Sequence, residues 1–287
     1  MKKHDVRFAF FGTSIFAVMV LDELKKAGFL PALIITTADK PQGRKLVMTA
    51  PPVKEWAQQE KVDVIQPEKL TSEVLADLEN SEWDLFIVAS YGKILPKALI
   101  NIPRHGTLNV HPSLLPQYRG ASPIQAQILA DNRETGVTIM LVDEKLDHGP
   151  IVAQARIEID EVDWPLKSSE LEEMLATLGG SFLAETIVPW LKHTLTAEPQ
   201  HDEKATFTKK IEKVDGELDI EHGNDRQNFL KIQAFDVWPG TYFFAERNGK
   251  RLRVKITKAS YKNGKLLITH VIPEGKKEMR YADFLKN

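Results

Sequence analysis

The chain has 287 residues, which is enough for two domains or for one large and one small domain. Hydrophobic residues make up 43% of it and charged residues 27%, close to the globular average, so a sizeable core is available. The absence of cysteine excludes disulfides and thiolate metal ligands and fits a reducing compartment.

The net charge of −2 is unevenly distributed. Residues 207–287 hold 17 basic and 11 acidic residues, and the rest of the chain carries the compensating acidic excess. This pattern is typical of a C-terminal part that meets a polyanion, although scattered surface charge would also produce it.

An apolar run, FAFFGTSIFAVMVL, lies close to the N-terminus and must be distinguished from a signal peptide. Asp5 and Arg7 interrupt its approach, Gly12-Thr13-Ser14 divides it, and no small-residue cleavage site follows. The run is predicted to be a strand, a turn and a helix. We recognise no apolar stretch of about 20 residues, so we predict no membrane span and expect a cytoplasmic location.

The first 190 residues alternate strand and helix patterns. A buried strand, VRFAFFG, precedes a helix with Ser14 as N-cap and Gly28 as stop. Further predicted strands are PALIITT, VDVIQP, WDLFIVAS, GTLNVH, GVTIMLVD and PIVAQARIEI. Helices are predicted at PPVKEWAQQEK, at SPIQAQILAD and over 168–192, where Gly179-Gly180 can interrupt the helix. The alternation predicts an α/β fold with a doubly wound, mostly parallel sheet.

Periodicity is lost over HTLTAEPQHDEKATFT, which is typical of a linker. Two strand-like segments follow, GTYFFAERNGKRLRVKIT and KNGKLLITHVI, each with an Asn-Gly pair that favours a hairpin turn. The predicted organisation is an α/β domain at 1–190, a linker at 191–206 and a small β-barrel-like domain at 207–287.

The first strand-turn-helix, FFGTSIF, lacks the G-x-G-x-x-G pattern of a dinucleotide site. A doubly wound sheet still holds its ligands outside the carboxyl ends of its strands. Three segments follow predicted strands in this way: SYGKILP, NVHPSLLP and VDEKLDHGP. We therefore expect these segments to form a ligand site.

Asn109 and His111 are two residues apart in GTLNVH, so on a strand both side chains lie on one face. Asp147, in a loop after a later strand, is the best carboxylate to hold the imidazole. The three groups suit attack of an amine on a carbonyl. Asn109 would donate to the oxyanion, His111 would donate or move a proton, and Asp147 would orient His111.

Other mechanisms find little support in the sequence. No nucleophile elbow and no cysteine is present, so a covalent acyl-enzyme is not expected. No H-E-x-x-H or similar spacing occurs, so no metal is expected. Direct transfer between two bound substrates fits better.

The stretch NVHPSLLPQYRGASPIQ, residues 109–125, resembles the signature of the folate-dependent formyltransferases in its Asn-x-His, Ser-Leu-Leu-Pro and Tyr-Arg-Gly parts. The similarity is greatest to the methionyl-tRNA formyltransferases of this family. Segments DKPQGRKLVMTAPPVK, ASYGKILPKAL, ETGVTIMLVDEKLDHGPIV, TKKIEKVDGELDI and AFDVWPGTYF follow in the family's order, so the resemblance covers nearly the whole chain. It implies a Rossmann-like formyltransferase domain and an OB-like β-domain, here with little chain for every strand of the barrel.

The resemblance implies 10-formyltetrahydrofolate as formyl donor and the α-amine of methionine on initiator tRNA as acceptor. It makes Asn109, His111 and Asp147 the catalytic residues; we further expect a monomer. The residues that it places against folate are Tyr91, Gly92, Ile94, Leu95, Ser113, Leu114, Leu115, Pro116, Glu144 and Leu146.

A C-terminal hairpin turning at Asn248-Gly249 is predicted to bind tRNA. Its register gives one apolar face and one face with cations and aromatic rings, a combination that suits RNA phosphates and bases. A solvated strand face would have the same composition. The second face carries Tyr242, Phe244, Arg251, Arg253 and Lys255.

The segment Asp39 to Lys54 shows no evident secondary structure, and loops of this length are usually functional or disordered. Lys40, Arg44 and Lys45 give it positive charge. The resemblance implies that it meets the acceptor arm of the tRNA, chiefly through Arg44.

Two alternative functions remain open. A sugar-nucleotide N-formyltransferase would use the same donor and catalytic groups with an amino-sugar acceptor, but the basic hairpin and basic loop argue against it. A catalytically silent RNA-binding protein would use the fold alone, but the intact Asn109, His111 and Asp147 argue against that.

Overall fold

The computed structural model describes residues 5–43, 46–247 and 249–286. Its strands are β1 Phe8–Gly12, β2 Leu33–Ile35, β3 Lys40–Gln42, β4 Val47–Thr49, β5 Val64–Ile65, β6 Leu85–Ala89, β7 Thr107–His111, β8 Arg119–Gly120, β9 Glu134–Leu141, β10 Ile151–Glu158, β11 Phe207–Thr208, β12 Thr241–Arg247, β13 Lys250–Lys262, β14 Lys265–Pro273 and β15 Met279–Arg280. Its α-helices are α1 Ile15–Lys26, α2 Pro52–Glu60, α3 Ser72–Glu79, α4 Lys97–Ile100, α5 Pro123–Leu129, α6 Ser168–Leu191, α7 Asp225–Ala234 and α8 Tyr281–Lys286. Short 3-10 helices lie at Asp202–Lys204 and Lys213–Gly216.

The chain folds into two compact units. The first contains Met1–Arg119, Gly136–Ile157 and Glu172–Phe207. The second contains Gly120–Thr135, Glu158–Leu171 and Thr208–Asn287. Helix α5 therefore belongs to the second unit although it lies within the first 190 residues.

The central sheet has the strand order β10-β9-β7-β6-β1-β2-β5 among the described residues. Strands β7, β6, β1, β2 and β5 run parallel, and β9 runs antiparallel to β7. This confirms the predicted doubly wound, mostly parallel α/β sheet.

Strand β1 shows why the sheet needs helices on both faces, because all five of its residues are buried. On one face Phe11 packs against Phe86 and Tyr91, with ring centroids 5.3 and 5.5 Å apart. Helix α1 begins after Ser14 as predicted, but the Ser14 hydroxyl donates to Ser90 Oγ at 2.7 Å instead of capping the helix. This bond joins the turns that follow β1 and β6.

The prediction of an irregular loop over Asp39 to Lys54 is wrong. Strands β3 and β4 pair antiparallel in this segment, and α2 begins at Pro52. Each strand has only three residues and no apolar alternation, so the sequence carries no strand signal there.

Helix α6 corrects two further predictions. It continues through Gly179 and Gly180 without a break, because these glycines allow close packing: a Cβ on Gly180 would collide with Val20 and Glu23 of α1, and one on Gly179 with Val110 of β7. Among the described residues, α6 alone is long and apolar enough to cross a membrane, so the statement that no such stretch exists is wrong. Half of its most apolar window is buried within the fold.

In the second unit β12, β13, β14 and β15 form an antiparallel sheet in that order. The predicted β12–β13 register is confirmed from Tyr242–Lys255 to Arg247–Lys250, although the turn residue Asn248 lies outside the described residues. Phe243, Val254 and Ile256 form the core with Val271 and Phe284. Within the described part of the chain no pairing joins β15 to β12, so the sheet is open and not a closed barrel.

Candidate active site

His111 is the last residue of β7 and is buried, with 4% of its surface exposed. Its Nε2 lies 3.1 Å from the carbonyl oxygen of Tyr118. Because a carbonyl oxygen only accepts hydrogen bonds, Nε2 carries a proton in this contact. The main chain after β7 therefore orients the ring and leaves Nδ1 to face other groups.

Asp147 approaches that free face of His111. Its Oδ1 lies 3.8 Å from His111 Nδ1, which is within ion-pair distance but too long for a good hydrogen bond, and 15% of its side chain is exposed. Asp147 has a φ of +47°, a left-handed conformation that is uncommon outside glycine and concentrates at functional sites. Two groups predicted to act together are thus brought together.

The loop that carries Asp147 starts from the opposite end of the sheet. Because β9 is antiparallel to β7, Leu141 at the carboxyl end of β9 pairs with Leu108 near the amino end of β7. The loop reaches His111 by folding back toward the other end of β7. This segment therefore reaches His111 from the opposite end of the sheet, whereas β6 and β7 are parallel and their carboxyl ends lie at the same edge.

Asn109 precedes His111 by two residues on β7, so both side chains lie on the same face. The Asn109 side chain is partly buried. In the part of the chain that the structure describes, its amide makes no hydrogen bond. Partly buried amides are usually satisfied, so this one has a donor to offer a ligand.

The turn after β7 is held by groups that the sequence did not reveal. Thr138, opposite His111 on β9, donates its hydroxyl to the Ser113 carbonyl at 2.7 Å and accepts from the Leu115 N–H at 3.1 Å. Gln154 donates to the Leu115 carbonyl at 2.9 Å and to Thr138 Oγ1 at 2.8 Å. These four residues fix the turn rigidly.

The four predicted folate residues of this turn differ in exposure. Ser113 and Leu115 are buried, and the Ser113 hydroxyl donates to the Gln117 carbonyl at 2.7 Å. Leu114 and Pro116 are partly exposed. Ser113 therefore uses its hydroxyl inside the turn, and the more accessible side chains are those of Leu114 and Pro116.

The other predicted folate residues lie in two loops that meet at an ion pair. Lys97, at the end of the loop after β6, contacts Glu144 in the loop after β9 at 2.5 Å. Gly92 and the apolar Ile94 and Leu146 are exposed. The two loops thus lie side by side with apolar side chains in solvent.

Tyr91 and Leu95, from the same loop after β6, are buried in the core. Burial raises the pKa of the Tyr91 hydroxyl to about 12. That hydroxyl has no hydrogen-bond partner among the residues described. It is therefore a neutral phenol with its donor unused.

A hydrogen-bond network that the sequence does not predict adjoins the Asp147 loop; its Arg119 is buried, Gln200 is partly buried and Asp202 is exposed. Gln200 Nε2 donates to the carbonyl oxygens of Asp147 and Gly149 at 2.9 and 2.8 Å. Its Oε1 accepts from Arg119 Nε and Nη2 at 2.9 and 2.8 Å, and Arg119 Nη2 also reaches Asp202 at 2.9 Å. Arg119 lies in the quoted Tyr-Arg-Gly motif, whereas Gln200 lies in an aperiodic stretch with no local signal.

A cavity of about 330 Å³ opens beside this network. It brings together an exposed cation, an exposed aromatic ring and the buried Arg119. Its lining residues are Arg119, Lys145, Leu146, His148, Asp202, Ala205 and Phe207. The Arg119 guanidinium lies 5.9 Å from the Phe207 ring centroid and holds the pKa of the Asp202 carboxyl below its ordinary value by hydrogen bonding to it.

No group of three or more histidine or carboxylate side chains that could hold a metal ion occurs in residues 5–43, 46–247 and 249–286.

The predicted tRNA residues lie on a cationic strand face. Arg251, Arg253 and Lys255 are exposed on β13. The Arg251 guanidinium lies 3.7 Å from the ring centroid of Phe244, and that of Arg253 lies 3.7 Å from Tyr242. The guanidinium groups thus cover the aromatic rings, and the surface presents cations more than open rings.

The other predicted tRNA residues belong to the segment before α2. Lys40 is exposed on β3. Arg44 and Lys45 lie outside the described residues.

Comparisons with known proteins agree with this architecture. Residues 6–187 match the family model described as formyl transferase. The chain is 37% identical to the methionyl-tRNA formyltransferase of Halalkalibacterium halodurans, an alignment that covers 98% of this chain and 94% of that protein. It is 39% identical to the methionyl-tRNA formyltransferase of Myxococcus xanthus, with the same coverage of both chains.

Among solved structures, the N-formyltransferase of Helicobacter canadensis, in complex with folinic acid and dTDP-3-aminofucose, has a TM-score of 0.65 and 18% identity. The similarity covers 90% of this chain and 88% of that one, and at this identity it shows a shared fold only. The sequence matches, which extend through both units, carry the assignment further: the chain belongs to the methionyl-tRNA formyltransferase family.

Proposed function

We propose that this protein transfers the formyl group of 10-formyltetrahydrofolate to the α-amine of methionine on initiator methionyl-tRNA. Family membership supports both substrates. The observation that supports the chemistry is that Asn109, whose amide makes no hydrogen bond within the described residues, lies on the same strand face as His111, whose Nδ1 faces Asp147 at 3.8 Å. An oxyanion donor and a proton-transfer pair are the two devices that acyl transfer to an amine requires.

The proposed reaction is a direct transfer between the two bound substrates. The amine nitrogen attacks the formyl carbon, and the Asn109 amide donates to the oxygen as it gains negative charge. The bond between the formyl carbon and N10 then breaks, which completes the new amide. The proton lost by the amine passes by way of His111 and Asp147 to N10 of the leaving tetrahydrofolate.

We propose that the donor binds against the turn after β7 and the loops after β6 and β9. Leu114, Pro116, Ile94 and Leu146 offer accessible apolar surface, and the buried Tyr91 hydroxyl makes no hydrogen bond within the described residues. Apolar walls with a few polar groups among them are typical of cofactor sites. Gly92, Leu95, Ser113, Leu115 and Glu144 would shape the same site.

We propose that the cavity beside the Asp147 loop receives the aminoacyl end of the acceptor. Leu146 and His148, which flank Asp147, line it, so a bound amine there would lie near the carboxylate. The exposed ring of Phe207 can stack on a base, and Lys145 can pair with a phosphate. The cationic face of Arg251, Arg253 and Lys255, together with Lys40, Arg44 and Lys45, would hold the rest of the tRNA.

We also propose a monomer that acts in the cytoplasm, where charged tRNA is made and used. Light scattering of the purified protein tests the oligomeric state; a stable dimer would contradict it.

Formylation with two acceptors tests the proposed function. Purified protein, 10-formyltetrahydrofolate and either methionyl initiator tRNA or an amino-sugar nucleotide are combined, and the formylated product is measured. The proposal predicts turnover with tRNA only, and Asn109→Ala should abolish most of it. Turnover with the amino sugar alone would favour a sugar N-formyltransferase, and tRNA binding without turnover would favour a silent RNA-binding protein.

A further inference from the structure

Gln200 joins two main-chain atoms on either side of the catalytic loop. A single Nε2 group donates to the carbonyl oxygens of Asp147 at 2.9 Å and Gly149 at 2.8 Å. We infer that Gln200 is a positioning residue that sets the Asp147 carboxylate against His111 through the main chain of this loop. The inference rests on the proposed function, because it assigns Gln200 a part in the same transfer.

Arg119 determines which way the Gln200 amide points. Its Nε and Nη2 lie 2.9 and 2.8 Å from Gln200 Oε1. A guanidinium only donates hydrogen bonds, so the amide oxygen must face Arg119 and the amide nitrogen must face the loop. Asp202 holds Arg119 in turn with a 2.9 Å contact. Both polar atoms of the Gln200 amide are therefore held by hydrogen bonds.

The Asp147 loop needs such support because its backbone is constrained. Asp147 has a φ of +47°, which a non-glycine residue adopts only when surrounding contacts hold it there. At Gly149 the main chain passes so close to the Leu141 carbonyl that a Cβ could not fit. Without a donor between them, the carbonyls of Asp147 and Gly149 would lose the contact that defines their spacing.

A small rotation of this loop would act directly on the catalytic pair. His111 is held from the other side by the Tyr118 carbonyl, so it cannot follow a moved carboxylate. The 3.8 Å separation between His111 Nδ1 and Asp147 Oδ1 is already at the limit of an ion pair. Displacements of about 1 Å in such pairs can cost about 100-fold in rate.

The Gln200→Glu variant distinguishes a role of Gln200 in positioning Asp147 from a role in folding. A glutamate keeps the size of the side chain and its contact with Arg119, but it presents an oxygen instead of a donor to the two carbonyls. Gln200→Ala removes both contacts and is the second variant. Gln233→Ala is the matched control, because Gln233 Nε2 also donates to a main-chain carbonyl, that of Pro165 at 3.0 Å, within the second unit.

The test measures kcat and KM for formyl transfer in each variant, alone and combined with Asp147→Asn. We expect Gln200→Glu and Gln200→Ala to lower kcat by about 10- to 100-fold with KM for the folate donor changed less than about threefold. In the Asp147→Asn background the same substitutions should lower kcat by less than about threefold, because the carboxylate that Gln200 positions is already absent. Gln233→Ala should match the wild type.

Three results would overturn the inference. One is an unchanged kcat in both Gln200 variants while their melting temperatures stay above the assay temperature. The second is a change confined to KM. The third is an equal loss of kcat with and without Asp147→Asn. If the wild-type protein formylates a different amine, the cycle is run with that acceptor, so failure of the tRNA assignment and failure of the Gln200 inference are distinguishable.

Discussion

His111 and Asp147 face each other at 3.8 Å, through Nδ1 and Oδ1, while the opposite ring nitrogen of His111 is bound to the Tyr118 carbonyl. The ring is therefore oriented by the main chain and polarised by the carboxylate.

Asp147→Asn should lower kcat by about 100- to 10,000-fold, the range for a lost acid-base group, because the amide cannot take up a proton. Steady-state formylation measures it. Asp143→Asn is the control, since Asp143 lies in the same loop but bonds His148 Nδ1 at 2.6 Å. Equal losses in the two variants would mean that the loop matters only as a whole.

Asn109→Ala should lower kcat by about 100- to 1,000-fold, the typical loss for one oxyanion donor. The variant should fold normally, because within the described residues the amide supports no other group. Asn101→Ala, at the exposed end of α4, is a control with the same substitution. A loss below tenfold at saturating substrates would remove Asn109 from the mechanism.

Thr138→Val should raise KM for the folate donor by about fivefold or more, because it leaves the turn at Ser113 and Leu115 without its buried hydroxyl. Thr107→Val is the matched control, since Thr107 is also buried and donates to the Ile100 carbonyl at 2.9 Å, near the other end of β7. Steady-state kinetics measure KM, and calorimetry of folate-analogue binding measures the affinity directly. Equal affinity in both variants would show that the turn does not contact the donor.

Arg251→Gln and Arg253→Gln should each weaken tRNA binding and make the slope of log affinity against log salt shallower by about 1. Arg280→Gln removes the same charge from the same sheet, but the 2.8 Å contact of Arg280 with Asp283 is closer than the 3.5 Å contact of Arg251 with Glu217, so Arg280 should change the slope less. Filter binding over a range of salt concentrations distinguishes them. Identical slopes in all three variants would indicate a general charge effect only.

Asp131→Asn should lower the free energy of unfolding at pH 7 by about 0.5–1.5 kcal/mol, because the carboxylate is partly screened by solvent. Asp131 accepts hydrogen bonds from Arg226 at 2.7 Å and from Trp164 at 2.7 Å. The bond from Arg226 is the main reason that its pKa is lowered. Urea unfolding followed by tryptophan fluorescence measures the change, with the exposed Asp163→Asn as control.

The lowered pKa of Asp131 also determines how the stability of the protein changes with pH. A lowered pKa in the folded protein stabilises it at every pH above the unfolded value of about 3.9. That stabilisation is lost as the pH falls through the lower pKa of the folded state. The difference between wild type and Asp131→Asn should therefore shrink below about pH 4, and a constant difference would contradict the assignment.

Sequence patterns predict the parts of the fold that are determined by residues close together in the chain. The β12–β13 register follows from strict side-chain alternation around one turn, and the structure reproduces it residue by residue. The short β3–β4 hairpin has no such alternation and was missed. The sequence allows a helix interruption at Gly179 and Gly180, because the packing partners of these glycines, on β7 and α1, lie far away in the chain.

The candidate site likewise contains residues that local patterns predict and residues that depend on distant parts of the chain. Asn109 and His111 could be placed on one face from their spacing alone, because a strand has a period of two. Gln200 could not be found, since its contact with Asp147 spans 53 residues and depends on how an aperiodic segment packs beside the Asp147 loop. The direction of β9 likewise depends on tertiary pairing, which the sequence of one strand does not encode.

Two of the three proposed catalytic groups are borne by a strand in the middle of the sheet, and the third by a returning loop. Changes in that loop can shift the reactivity of the carboxylate while the strand and its neighbours stay as they are. Evolution could therefore adapt the enzyme to a new amine by altering a single surface segment, without rebuilding the framework that presents the carbonyl.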